Sequence, residues 1–235
     1  MRTLATATRA GVLGVAAGAL LFTGVAAQGT AVAAPQGKPA KLTVAKYRDW
    51  LKNNDEAAAS IKLLKAFDKL PKAKQQKFVT YLQDRKVQKA FDVRNGGYVT
   101  RGGTSQTIHN KDVRFVANVK AVNKTDKAGR HITLTFTATE RIYDLPVITK
   151  KTVLSYTVKG GVKSPKLKSS VTNLNGAFAI TPAKKDSLKT NGGNIWATTT
   201  WKATPLYKSA GAGSLVKEQR TVVVNVKYTA NLVNK

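Results

Sequence analysis

The chain has 235 residues, with 40 Lys or Arg, 12 Asp or Glu and a net charge of +28 at neutral pH. It has no cysteine and two histidines, so a disulfide framework, a cysteine nucleophile and a zinc site made only of Cys and His are excluded. Such a basic chain is typical of proteins that meet anionic partners, although charge carries no information about the fold.

Residues 1–33 predict a secretory signal peptide. Arg2 and Arg9 supply a basic start, residues 11–27 are rich in Gly and Ala, and Ala31-Val32-Ala33 is typical of a cleavage site. The glycines make a membrane anchor the less favoured alternative, since an anchor needs about 20 continuous apolar residues. We therefore expect a secreted, extracellular protein without an integral membrane anchor, which its charge would help to retain at the cell wall.

Removal of this segment would leave 38 basic and 12 acidic residues, a net charge of +26, because it takes away Arg2 and Arg9 but no acidic residue. Lysine supplies most of the excess, and the basic runs are no longer than pairs such as Lys150-Lys151 and Lys184-Lys185. Dispersed lysine suits nonspecific attraction to a polyanion better than bidentate base recognition by arginine. The alternative is that the charge serves solubility, for which a smaller net charge is usually sufficient.

The next part of the chain changes from a polar leader to a helical pattern. Residues 34–42 are polar and contain proline, and they predict a disordered leader. Residues 43–95 place apolar side chains at helical spacing and predict a mini-bundle of three or four short helices. The expected helix starts are Thr43, Asn54, Pro71 and Asp84. Asn95-Gly96-Gly97 is expected to end this unit.

Residues 96–235 follow a period of two. In the segment 132–139 every even position is apolar and every odd position is Thr, which is typical of a half-buried antiparallel strand. Similar alternation elsewhere, separated by Gly-rich breaks, predicts about seven or more strands. The expected fold class is segregated α+β, with the helical bundle followed by an antiparallel β-sandwich.

Motifs for catalysis and metal binding are missing from the sequence. His109 and His131 are expected to be surface or turn histidines, and no Gly-x-Ser-x-Gly elbow occurs. The segment 102–105 lacks the lysine that a phosphate-binding loop requires. We therefore expect no enzymatic activity, no metal and no small-molecule cofactor.

One carboxylate pair supports an alternative. Glu140 and Asp144 follow the Thr-rich strand, and residues four apart around a bend meet the separation of about 5–10 Å that glycoside hydrolysis needs. Arg141 and the nearby lysines favour structural ion pairing as the simpler role.

Two tryptophans lie on one predicted strand. Trp196 and Trp201 are five residues apart, so an unbroken strand points them to opposite faces. Trp201 shares its face with apolar residues and is expected in the core. Trp196 shares its face with Thr198, Thr200 and Lys202, where an exposed ring would stack on a sugar or base or anchor an interface. The alternative is that a loop or the helices cover it.

Two parts of the sequence resemble secreted β-domain proteins of actinobacteria with no known activity. One is the end of the signal peptide, Ala31-Val32-Ala33-Ala34-Pro35, and the other runs from Arg141-Ile142-Tyr143-Asp144 through Thr199-Thr200-Trp201. The resemblance implies an exported protein and assigns no functional residue.

The sequence thus predicts a secreted, non-enzymatic binding protein for anionic polymers of the cell envelope or matrix, such as teichoic acid, acidic polysaccharide or extracellular nucleic acid. The residues expected to contact the polymer are Trp196, Lys202, Lys150 and Lys151. Two alternatives stay open: a cell-wall glycan hydrolase that uses Glu140 and Asp144, and a secreted protein-binding or inhibitor module.

Overall fold

A computed structural model of the chain describes residues 37–235. The predicted signal peptide, residues 1–33, lies outside the described residues, as do residues 34–36 of the predicted leader. The described part is mixed α+β, with four α-helices followed by eleven strands in two antiparallel sheets. None of its helices is long and apolar enough to cross a membrane.

The helices begin close to the predicted positions. They are α1 (Val44–Lys52), α2 (Ala57–Asp68), α3 (Lys72–Gln83) and α4 (Arg85–Ala90). The Thr43 hydroxyl accepts a hydrogen bond from the Lys46 amide, and the Asp84 carboxylate accepts one from the Lys86 amide, so both predicted caps are confirmed. Helix α2 starts later than predicted, because Asn54 Oδ1 accepts from the Glu56 amide in the turn before it.

The helices share one hydrophobic core with the sheets. The rings of Tyr47, Phe67 and Phe78 pack with centroids 5.2–5.8 Å apart, and all three side chains are fully buried. The Tyr47 hydroxyl donates a 2.7 Å hydrogen bond to the carbonyl of Leu174, which follows strand β6 (Val162–Asn173). The helices are therefore joined to the sheets by buried contacts and do not form a separate bundle.

At both ends of the helical segment the structure differs from the prediction. Residues 39–42 are tied down rather than free: the Lys208 and Ser209 amides donate to the carbonyls of Pro39 and Ala40, and Leu42 is buried. At the other end, Asn95-Gly96-Gly97 lies inside the first strand instead of ending the helices. Short loops and an edge strand connect the two parts without an exposed linker.

The six-stranded sheet has the order β1-β11-β10-β9-β7, with β8 also paired to β9. The five-stranded sheet has the order β2-β3-β4-β5-β6. The remaining strand bounds are β1 (Val93–Tyr98), β2 (Gly103–Ile108), β3 (Val113–Asp126), β4 (Gly129–Ile142), β5 (Leu145–Val158), β7 (Phe178–Pro182), β8 (Ser187–Asn191), β9 (Asn194–Pro205), β10 (Leu215–Val224) and β11 (Lys227–Asn234). All pairings are antiparallel, as the alternating pattern predicts.

The two sheets have a sandwich-like layout around the core. On β4 the even residues 132–138 are buried and the Thr side chains between them point outward, so the predicted alternation is confirmed. Gln219 of the six-stranded sheet donates to the carbonyls of Phe136 and Lys150 in the five-stranded sheet, at 3.3 Å each. Its side-chain oxygen accepts a hydrogen bond from Trp201 Nε1 at 2.9 Å. Buried polar contacts thus fix how the sheets face each other.

Candidate anion-binding surface

The four residues expected to contact a polymer fall in three different places. Trp196 and Lys202 lie on the outer side of the six-stranded sheet, and Lys151 lies on the outer side of the five-stranded sheet. Lys150 is only 1% exposed and lies in the core. A polymer cannot reach it, so Lys150 does not fit the predicted role.

The exposure of the tryptophans agrees with the strand argument. Trp196 is 38% exposed, whereas Trp201 is 1% exposed. Trp196 is paired across the sheet with Lys189 on β8 and Val222 on β10. Neither a loop nor a helix covers its ring completely, so this side of the strand carries an accessible aromatic surface.

The outer side of the five-stranded sheet carries an array of lysines between threonines. We call it the basic face and define it by its six exposed lysines, Lys120, Lys124, Lys151, Lys163, Lys166 and Lys168. One row across the sheet runs from Lys120 through Thr135 and Val153 to Lys168. With adjacent strands about 4.8 Å apart, the backbones at the two ends of this row are roughly 14 Å apart.

Carboxylates are almost missing from the basic face. Among the outward positions of β3 to β6, the one acidic residue is Asp126, in the last residue pair of the β3–β4 hairpin. Its carboxylate lies 3.0 Å from His131 Nε2, and this contact lowers the pKa of Asp126 below its usual range. None of the six lysines forms a salt bridge with a residue in the described part of the chain. Their charge is therefore available to a ligand.

Three other acidic residues of the sheets and their turns are paired with basic neighbours. Asp112 pairs with Lys77 at 2.6 Å, Asp144 pairs with Arg114 at 2.6 Å, and Glu218 contacts an arginine and the C-terminal lysine. Glu140 is buried in the core. The excess positive charge thus remains on lysines that form no salt bridge within residues 37–235.

Glu140 lies in the interior, where its side chain is fully buried. It occupies an even, inward-pointing position of β4, and its Oε2 accepts a 2.7 Å hydrogen bond from Gln88 Nε2 on α4. Its Oε1 is buried without a partner among the described residues. Burial raises the pKa of Glu140 to about 7, and the hydrogen bond from Gln88 and the charge of Lys150 offset part of that effect.

Lys150 and Lys217 share this interior region. Lys150 Nζ lies 5.1 Å from the centroid of the Phe91 ring, and burial lowers the pKa of Lys150 to about 7. Lys217 Nζ donates to the Lys89 carbonyl at 3.1 Å and to Asn234 Oδ1 at 2.7 Å. Burial lowers the pKa of Lys217 to about 8. This is a structural polar cluster where α4 covers the two sheets.

The carboxylate pair of the hydrolase alternative is divided between two environments. Glu140 is fully buried and bonded to Gln88, whereas the side chain of Asp144 is 67% exposed in the β4–β5 turn and pairs with Arg114. Two carboxyl groups that act on one glycosidic bond must both reach the substrate. A glycosidase site built from Glu140 and Asp144 does not fit this arrangement.

The structure also contains a cleft that the sequence did not indicate. It lies between the α2–α3 junction, the β2–β3 turn and the β4–β5 turn, and its volume is about 570 Å³. Asp112 organises it: one carboxylate oxygen accepts hydrogen bonds from Lys77 Nζ at 2.6 Å and from the Tyr81 hydroxyl at 3.0 Å, and the Tyr143 hydroxyl lies 3.4 Å away. The hydrogen bond from Lys77 lowers the pKa of Asp112, so this carboxylate is an anchor rather than a proton donor.

The turns around the cleft are joined to each other by backbone bonds. The Tyr143 amide donates to the Asp112 carbonyl at 2.7 Å, and Asn110 Oδ1 accepts from the amides of Asp112 and Val113. Tyr143 has a φ of 47° and Asp144 a φ of 64°, the left-handed conformation of both central residues in a tight hairpin turn. A bulky residue in that region is strained, and the surrounding bonds hold it there.

Neither His109 nor His131 belongs to a metal site among the described residues. No group of three or more His, Asp or Glu side chains within residues 37–235 is placed to hold a metal ion. Comparisons with family models, with curated proteins and with solved structures found no match. The interpretation of the site therefore depends on its own chemistry.

Proposed function

We propose that the protein is a secreted, non-enzymatic β-sandwich protein that binds anionic polymers of the cell envelope or matrix through its basic face. The candidates are teichoic acid, acidic polysaccharide and extracellular nucleic acid. The observation that carries the proposal is the set of six lysines that form no salt bridge with a described residue, with Asp126 as the single acidic residue in outward register on β3 to β6. If the charge served only solubility, positive and negative side chains would be expected to alternate on this surface.

The spacing of the lysines favours a long, repeating ligand over a small one. The rows that contain Lys120 and Lys168, then Lys166, then Lys124 and Lys163 follow each other along the sheet. Successive rows are about 6–7 Å apart, the rise of two strand residues. A polymer that carries one negative charge in each unit would meet several rows at once, and each contact would release a counterion.

The outer side of the six-stranded sheet supports a secondary contact. Trp196 is exposed there, with Lys189 paired beside it and Lys202 further along β9. A ring next to ammonium groups suits stacking on a sugar or a base of the same polymer. This surface also suits a protein partner, which is the third class of function that the sequence leaves open.

The test is a salt titration with matched charge variants. One variant carries Lys→Gln at positions 120, 151, 166 and 168 of the basic face, and its control carries Lys→Gln at positions 62, 65, 69 and 72, all exposed on or next to α2 and α3. Both lose four charges. For teichoic acid and DNA, log affinity should fall linearly with log salt, and the slope should lose about 0.7–0.9 for each phosphate contact removed.

We expect the basic-face variant to lose most of its affinity and the helix variant to keep most of it. Equal losses in both would mean that the net charge acts without a defined surface. No binding at low salt to teichoic acid, heparin-like polysaccharide or DNA would leave solubility as the role of the charge.

A further inference from the structure

The cleft between the β2–β3 turn, the β4–β5 turn and the α2–α3 junction has the size of a small-molecule site. Its volume of about 570 Å³ lies within the range of typical ligand pockets. Asp112 is bonded to α3 and to the β4–β5 turn, so the walls of the cleft are held together before any ligand arrives. Such preorganisation lowers the entropy that binding has to overcome.

Three cations line this cleft. Lys74 and Lys111 form no salt bridge with a described residue, and the Arg114 guanidinium is held by Asp144 at 2.6 Å. Lys74 Nζ lies 5.4 Å from the centroid of the Tyr143 ring, which positions its charge at the mouth of the cleft. A negatively charged group of a ligand would find two ammonium groups there that form no salt bridge within the described part of the chain.

The remaining lining is suited to a ligand with hydroxyl groups and an apolar side. Asp144 is exposed and presents carboxylate oxygen to solvent as an acceptor for hydroxyl donors. Asn110 also lines the cleft, and its amide nitrogen is a donor, because the oxygen of that amide accepts hydrogen bonds within the turn. Ile108, which is 60% exposed, and the Tyr143 ring supply apolar surface.

Arg114, which lines the cleft, lies on the outer side of the same sheet as the basic face. Arg114 is the cross-strand partner of Arg141, and both lie in outward register on the five-stranded sheet. The row that contains Lys151 and Thr137 is four residues along β4 from Arg141, or roughly 13 Å away. A chain that lies along the basic face would therefore reach the cleft within a few of its repeating units.

We propose that this cleft binds one anionic, polyhydroxylated unit, a sugar or polyol that carries a phosphate or a carboxylate. The cations hold the anionic group, and Asp144 and Asn110 hold the hydroxyl groups. This inference rests on the proposed function, because it takes the bound unit to be one unit of the polymer that the basic face binds. The cleft supplies selectivity for the repeating unit of the polymer, whereas the basic face supplies affinity through its charge.

The experiment measures binding of single units by the full chain. The probes are glycerol 3-phosphate and methyl glucuronide, with glycerol and methyl glucoside as uncharged controls, and the method is NMR titration or calorimetry. The variant is Lys74→Gln with Lys111→Gln, and the matched control is Lys65→Gln with Lys69→Gln on α2 and its C-terminal end. All four lysines are exposed, so folding should be preserved, which thermal melting checks.

We expect saturable binding at one site for at least one charged probe and weaker binding of its uncharged control. The cleft variant should lose about tenfold or more in affinity, because charge-assisted bonds are removed, and the control variant should not change. The preferred probe identifies phosphate or carboxylate as the anionic group.

Absence of binding for both charged probes would overturn the assignment, and so would equal affinity in the cleft variant. The outcome is separable from that of the salt titration. Salt-dependent polymer binding without probe binding would refute the cleft alone. Probe binding that the cleft variant weakens, without any polymer binding, would support the cleft and refute the polymer proposal.

Discussion

The buried pair of Glu140 and Lys150 should give the protein an unusual dependence of stability on pH. Burial raises the pKa of Glu140 from 4.5 to about 7 and lowers that of Lys150 from 10.5 to about 7. The unfolded chain keeps the ordinary values. Between pH 4.5 and 7 the folded protein therefore holds a proton on Glu140 that the unfolded chain has lost, so stability falls as the pH rises.

Lys150 acts in the opposite direction at higher pH. Between pH 7 and 10.5 the unfolded chain holds a proton on Lys150 that the folded protein has lost, so stability rises with pH. These shifts mean that the charged form of Glu140 costs about 3 kcal/mol more in the folded protein than in the unfolded chain, and the charged form of Lys150 about 5 kcal/mol more. The contribution of this pair to the free energy of unfolding thus has a minimum near pH 7.

The perturbation that isolates the pair is the double variant Glu140→Gln/Lys150→Met. Glutamine keeps an oxygen to accept the hydrogen bond from Gln88, and methionine keeps most of the apolar length of lysine. Replacement of buried charges by neutral groups of similar volume typically stabilises by about 1–4 kcal/mol. We expect a gain of that order at pH 7 and a smaller one at pH 5 and pH 10.

The assay is urea unfolding at pH 5, 7 and 10 for the wild type, the two single variants and the double variant. Relative to the double variant, Lys150→Met should keep the fall in stability between pH 5 and 7, and Glu140→Gln should keep the rise in stability above pH 7. Lys217 is present in all four proteins and adds its own rise in stability above pH 8, and its charge interactions with Glu140 and Lys150 make that rise differ between the variants. A difference between wild type and double variant that is the same at every pH would refute the reasoning.

The two strand tryptophans, the Tyr47 hydroxyl and the Gly96–Gly97 bond allow further tests of the fold. Trp201→Ala should lower the free energy of unfolding by about 3–5 kcal/mol as a core truncation, whereas Trp196→Ala should change it little, and equal large losses in urea unfolding would contradict this. Tyr47→Phe removes the 2.7 Å bond to the Leu174 carbonyl and should cost about 1–3 kcal/mol by the same measurement; no loss would mean that this bond does not hold the helices to the sheets. Limited proteolysis should leave the Gly96–Gly97 bond intact, because that segment pairs with β11, and a specific cut there would show that β1 detaches.

Local patterns in the sequence were sufficient to predict most helices and strands and the direction in which many of their side chains point. Thr43 and Asp84 cap helices because a side-chain oxygen next to a first turn satisfies a free amide, an interaction of neighbouring residues. Alternation on β4 orients its threonines outward, because successive strand residues point to opposite sides. The same alternation places Glu140 and Lys150 on the apolar side of their strands, a signal that the prediction of Lys150 as a polymer contact overlooked.

Only the tertiary structure revealed the cleft, the basic face and the strand pairing of the Asn95-Gly96-Gly97 segment. The Asn95-Gly96-Gly97 segment has the composition of a break, but pairing with β11, more than a hundred residues away, makes it a strand. The cleft combines side chains from an α2–α3 junction and two hairpin turns that are distant in sequence. The basic face depends on the order β3-β4-β5-β6 within the five-stranded sheet. Local sequence therefore determines the faces of each strand, whereas the cleft and the basic face arise from long-range packing, which a single sequence does not encode in any local period.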